Sequence, residues 1–167
     1  MKHPIDSEKI IILDFGSQYT QLIARRIREL GVYSEILSCS SSYKRILKEN
    51  PKGIILSGGP ESVNAKKMLK IDSQILESDI PVLGICYGMQ LMAQHFKGKV
   101  KASNKREFGH AELKTLKSTL FNKIKTSPLK VWMSHGDKVS HLPKGFKKIA
   151  SSKNSPIAAF ENKLLNK

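Results

Sequence analysis

The residues best suited to chemistry are Gly84-Ile85-Cys86-Tyr87-Gly88, which carry the G-x-nucleophile-x-G spacing. An apolar stretch of strand length (residues 81–85, PVLGI) leads into the run, and a segment of helical period (88–96) leaves it. The spacing therefore predicts a sharp strand-to-helix turn with Cys86 at its tip. A residue held in such a turn crowds its neighbours, so the positions two before and two after it need to be nearly without side chains. Gly84 and Gly88 meet that need. The helix N-terminus beyond Cys86 offers unpaired N–H groups and a positive dipole end, expected to lower the thiol pKa and to hold an oxyanion. The competing reading is a small buried cysteine beside turn glycines, which is the commoner fate of a free thiol. The coincidence of strand, glycines and helix favours a nucleophile.

A second concentration is Ser57-Gly58-Gly59-Pro60-Glu61-Ser62, after a third apolar run (53–57, GIILS). Adjacent glycines at a strand end let backbone N–H groups approach a ligand, and one of them could complete an oxyanion hole with the N–H of Tyr87. The segment lacks the Gly-Lys-Ser/Thr ending of a phosphate loop. Cys39 follows a strand in a Ser-rich loop and has none of the features around Cys86, so it reads as structural.

These sites need elements to hold them. Residues 9–15 (KIIILDF) read as a buried strand, and 18–30 as a helix with Ile23, Ile27 and Leu30 on one face, stopped by Gly31. Residues 32–37 form a second predicted strand, 43–49 a short helix ending before Pro51, and 67–77 a further helix. This order implies an α/β fold, a mostly parallel open sheet with helices on both faces and the nucleophile elbow after a central strand. Ligands of such sheets bind beyond the carboxyl ends of the strands, where both motifs fall. In the C-terminal half, 100–103, 111–115, 131–133, 147–151 and 157–160 are short strand candidates, read as an antiparallel extension or a return into the main sheet. No linker or second boundary is visible, so residues 1–167 are expected to be one domain.

Composition narrows the function classes. The 167 residues are 40% hydrophobic and 26% charged, values of a globular chain. No apolar run approaches membrane-spanning length, and MKHPIDSEK lacks the apolar core of a secretory signal, so a cytoplasmic location and no membrane partner are expected. Two cysteines without paired spacing give neither a disulfide framework nor a metal site. The net charge of +15 raises the question of nucleic acid, but lysines outnumber arginines, are spread along the chain, and are not interleaved with aromatics. A solvated basic surface without a nucleic-acid partner is the expectation. The densest basic stretch, residues 97–106 (KGKVKASNKR), is a weak candidate for an acidic partner.

GICYGMQ (84–90), SGGPESV (57–63) and ILDFGSQYTQLIARRIRE (12–29) together resemble the class I, or triad-type, glutamine amidotransferase domain. SNKREFGHAEL (103–113) and VWMSHGDKV (131–139) are similar to the glutaminase domain of the GMP synthase branch. The resemblance implies that Cys86 attacks the side-chain amide of glutamine and that water hydrolyses the resulting thioester, releasing glutamate and ammonia. It places the oxyanion between the N–H groups of Gly59 and Tyr87, and bound glutamine against Gln90, Ser134 and Asp137. It implies no cofactor in this domain. ATP and magnesium belong to a synthetase domain or subunit that would convert XMP to GMP, and the full-length family member would be a homodimer.

The same resemblance places a His, oriented by a Glu two residues on, along a strand shortly beyond Lys167. On that ground the domain is expected to be C-terminally incomplete and to lack its general base, with the ATP pyrophosphatase and dimerisation domains absent. His3 lies in the N-terminal tail; His95, His110 and His141 read as surface or loop residues, and His135, in MSHGD, as structural or substrate-adjacent. Two alternatives stay open: a truncated, non-catalytic module that docks on a synthetase, or an amidotransferase serving anthranilate or carbamoyl phosphate synthesis.

Overall fold

The computed structural model describes residues 8–66 and 68–167, without the side chains of residues 103–108 and 135. Two compact units divide it, Met1–Met92 and Ala93–Lys167.

The first unit is a four-stranded parallel sheet in the order β2-β1-β3-β4, flanked by helices. Its strands are β1 (Lys9–Asp14), β2 (Tyr33–Ser38), β3 (Gly53–Leu56) and β4 (Val82–Gly84). β1 is a continuous apolar run because it is covered on both faces: Ile11, Ile12 and Leu13 are fully buried. β1 pairs in register with both neighbours, Ile12 facing Ile36 on β2 and Ile55 on β3. The helix α1 (Thr20–Glu29) packs back through its buried Ala24, whose carbonyl accepts the Ser34 hydroxyl of β2 at 2.9 Å. Gly31 then turns the chain in the left-handed region, at φ 79°, where glycine is unstrained. The helix α2 (Tyr43–Leu47) is capped by Ser42, whose hydroxyl accepts the Arg45 N–H.

The helix expected over 67–77 is a correction. Residue 67 lies outside the described residues; among the described ones only α3 (Gln74–Glu77) forms, and residues 68–73 are irregular. Two side chains explain this. The Asp72 carboxylate accepts the N–H groups of Tyr43 at 2.9 Å and Gln74 at 3.2 Å, so it starts a helix rather than continuing one. The Tyr87 hydroxyl donates to the Leu69 carbonyl at 2.7 Å, pairing that carbonyl outside any helical ladder.

At the N-terminal end of this sheet, Lys9 donates to Glu49 at 2.7 Å and Glu35 at 3.3 Å, and Arg45 also pairs with Glu49. The Lys9 hydrogen bond, then that of Arg45, holds the Glu49 carboxyl down at about 2. A carboxyl depressed in the folded state stabilises the fold above its ordinary pKa of 4.5, and that stabilisation is lost as pH falls toward about 2. Glu49→Gln should therefore flatten the fall in melting temperature across that window, with a smaller difference from the parent at high salt.

The second unit is an antiparallel sheet in the order β6-β5-β7-β8. Its strands are β5 (Lys99–Thr115), β6 (Leu129–His141), β7 (Lys147–Ser151) and β8 (Ala159–Glu161). The expected short strands at 100–103 and 111–115 are parts of one 17-residue strand. The bulge between Ala102 and Glu107 interrupts its pairing with β6, which is why the pattern read as two pieces. Phe146 anchors the core of this unit, 5.1 Å from Phe96 and 5.4 Å from Phe160 between ring centroids. The helix α4 (Tyr87–His95) carries the boundary between the units, so no linker marks it in the sequence.

Candidate active site

The elbow forms where β4 ends. Cys86 is a non-glycine residue in the left-handed region, at φ 48°, a conformation that costs an L-residue roughly 1–2 kcal/mol. The glycines on either side of it admit no side chain. A Cβ on Gly84 would lie 2.6 Å from the Gly88 carbonyl carbon and the Met89 nitrogen, and a Cβ on Gly88 would lie 2.5 Å from the Leu56 Cβ and oxygen. Hydrogen bonds join the turn to the end of β3: Ile85 N–H donates to Leu56 at 2.9 Å and Gly88 N–H to the Ser57 carbonyl at 3.2 Å.

The loop after β3 lies against this turn. A Cβ on Gly58 would sit 3.5 Å from the Cys86 Cβ, and one on Gly59 would sit 2.7 Å from the Phe15 carbonyl oxygen. Ser57 is fully buried and every polar group it has is paired. Its N–H donates to Leu13 at 3.0 Å, its carbonyl accepts Gly88, and its hydroxyl accepts the Phe15 N–H at 3.0 Å and donates to the Gly58 carbonyl at 2.8 Å. The N–H groups of Gly59 and Tyr87 have no hydrogen-bond acceptor among the described residues. Tyr87 is itself buried, its ring 5.2 Å from that of Phe15. Burial pushes its phenol pKa up, keeping the hydroxyl protonated as donor to Leu69. Gln90 is buried one turn into α4.

The expected lowering of the Cys86 pKa meets an opposing force. Burial pushes this thiol up from its ordinary value, because a thiolate loses its hydration there. Alkylation of Cys86 by iodoacetamide, followed by mass on its own peptide, should accordingly keep rising with pH beyond about 8.5. A plateau well below that value would mean that the helix terminus outweighs desolvation.

Cys86, Gly59, Tyr87 and Gln90 thus belong to the first unit, whereas Ser134 and Asp137 lie on β6 of the second, opposite Phe108 and Ala102. The side chain of His135 and those of residues 103–106 in the basic stretch lie outside the described residues, as does His3. Cys39 donates its N–H to the Asp14 carbonyl at 3.3 Å, and burial, with the Asp14 carboxylate, pushes its thiol up. His95 packs edge-on against Phe96, and His141 meets the Ser140 hydroxyl at 3.1 Å. One His-x-Glu spacing does stand within the chain, His110-Ala111-Glu112, although His110 read only as a surface or loop residue. It lies on β5, with His110 edge-on to Trp132, and lines a cleft of about 580 Å³ with Lys114, Met133 and Ser151. Among the described residues no group of three or more His, Cys, Asp or Glu is arranged to hold a metal, and no helix is long and apolar enough to cross a membrane.

A model of the family described as glutamine amidotransferase class-I matches residues 11–165, across both units. GMP synthase (glutamine-hydrolysing) from Campylobacter hominis is 54% identical over 151 residues, covering 90% of this chain and 30% of that protein. The corresponding protein of Pelodictyon phaeoclathratiforme is 53% identical over 160 residues, 93% of this chain and 31% of that one. The chain therefore spans just under a third of the length of these curated relatives. Among solved structures, a protein from Thermoplasma acidophilum described as a candidate GMP synthase component is 29% identical with a TM-score of 0.79, covering 93% of this chain and 78% of that one. A glutamine amidotransferase from Thermotoga maritima, 23% identical with a TM-score of 0.75 over 92% of this chain and 71% of that one, shares the fold. With the match running almost end to end, the chain belongs to the class-I glutamine amidotransferase family.

Proposed function

We propose that this chain is the glutamine-hydrolysing part of a GMP synthase, with Cys86 as its nucleophile. The observation that carries the reading is the left-handed Cys86, locked between two glycines with no room for a Cβ and adjoining two N–H groups that have no acceptor among the described residues. The Cys86 sulfur forms a bond to the side-chain carbonyl carbon of glutamine, and the carbonyl electron pair moves onto oxygen between the N–H groups of Gly59 and Tyr87. A base takes the thiol proton during the attack and returns it to the nitrogen as the oxyanion collapses, so the C–N bond breaks and ammonia leaves. Water then cleaves the thioester to glutamate and restores the thiol. Gln90, Ser134 and Asp137 are assigned to the bound glutamine; a carboxylate suits its ammonium and a hydroxyl its carboxylate.

The described residues of the first unit include no histidine, and by the family resemblance the base is assigned to a His-x-Glu pair. Ammonia would pass to an ATP- and magnesium-dependent synthetase part that aminates XMP, in a homodimeric protein. Identity of 52–54% to GMP synthases supports this acceptor over those of anthranilate or carbamoyl phosphate synthesis. A glutamine-analogue diazoketone should add one mass equivalent to the peptide carrying Cys86. The reading fails if the adduct is missing or sits elsewhere. Ammonia transfer to XMP by the protein with its synthetase part tests the acceptor; transfer only to another acceptor would exclude GMP synthesis.

A further inference from the structure

We propose that Ser57 is a positioning residue that sets the direction of the Gly59 N–H and thereby the geometry of the oxyanion hole; this rests on the reading of Cys86 as a nucleophile. The Ser57 hydroxyl donates to the Gly58 carbonyl at 2.8 Å. That carbonyl and the Gly59 N–H belong to one peptide group, which is planar and trans, so the two point in opposite directions. Fixing the carbonyl toward Ser57 therefore fixes the N–H away from it. The same hydroxyl accepts the Phe15 N–H at 3.0 Å, and the Phe15 carbonyl oxygen is the atom a Cβ on Gly59 would meet at 2.7 Å. One buried hydroxyl thus holds the peptide and the wall it lies against.

The need for such a device follows from the sequence. Both residues flanking the peptide are glycines, so rotation of that peptide meets little steric resistance from side chains. The Ser57 backbone cannot follow it, because its N–H is committed to Leu13 and its carbonyl to Gly88. In Ser57→Ala the serine backbone would stay, the Gly58 carbonyl would lose its donor, and the Gly59 N–H would lose its fixed direction.

The test compares two reactions of Cys86 in the 167-residue chain, at a pH above the inflection of its thiol. Acylation by the γ-p-nitrophenyl ester of glutamate passes through an oxyanion; the S–C bond forms, the ester C–O bond breaks, and p-nitrophenolate leaves with the electron pair. Alkylation by iodoacetamide forms the S–C bond by displacing iodide and makes no oxyanion. Ser57→Ala should slow acylation roughly 10- to 100-fold while alkylation stays within about twofold. Ser57→Cys keeps the shape with a weaker donor and should fall between the two, which keeps the test readable if the alanine variant fails to fold. Equal loss in both reactions would make Ser57 merely structural and overturn the proposal, as would acylation at the parental rate in both variants. A parent chain that is alkylated but never acylated would instead overturn the nucleophile reading, and the proposal with it.

Discussion

Cys86→Ala is expected to remove glutamate release from glutamine by on the order of 10⁴-fold or more, because no other described group at the elbow can form the thioester. The fold should tolerate the change. Alanine meets the same backbone penalty as cysteine at φ 48°, so strain is not relieved, and the half-buried site loses only a sulfur. The melting temperature should therefore stay close to that of the parent while acylation by the γ-glutamyl ester disappears. A parental rate in Cys86→Ala would remove Cys86 from the chemistry, and a large fall in melting temperature would show that the thiol matters to packing.

The second large effect is on stability. In Gly88→Ala the new methyl would lie 2.5 Å from both the Leu56 Cβ and the Leu56 carbonyl oxygen. Leu56 is fully buried, and its carbonyl is already committed to the Ile85 N–H, so neither atom can retreat without loosening β3. Overpacking of this kind costs about 1–3 kcal/mol and sometimes more, and here the obstacle is backbone. A loss of about 3 kcal/mol would lower the melting temperature by roughly 6–12 °C in a chain of this size. Gly84→Ala should be comparable, since its Cβ would strike the Gly88 and Met89 backbone at 2.6 Å. Gly31→Ala, at a position where a Cβ meets nothing within 4 Å, isolates the conformational part and should cost less.

Those two glycines also show what could be read from the sequence. Strands β1 and β3, helix α1 and the elbow were legible because each is written in local periodicity and in glycine spacing. What was not legible depends on partners distant along the chain. The stretch 68–73 carries a helical pattern, yet Asp72 is drawn to Tyr43, 29 residues away, and Leu69 to the Tyr87 hydroxyl, 18 residues away. Ser57 read as the first residue of a glycine-rich loop, since nothing in its neighbours reveals a hydroxyl placed between Phe15 and Gly58. The expected thiolate at Cys86 came from the helix terminus alone, whereas the burial that opposes it is a property of the packed sheet. Polar residues on β5 concealed one long strand behind two short ones.

The strand order β2-β1-β3-β4 has a consequence for redox chemistry. Cys39 follows one edge strand and Cys86 the other, so about three inter-strand spacings, on the order of 10–15 Å, separate them. A disulfide needs Cα atoms within roughly 7 Å. Oxidants therefore cannot silence Cys86 by an internal bridge to Cys39. They would leave it as a sulfenic acid or a mixed disulfide with a small thiol, both of which a reductant reverses.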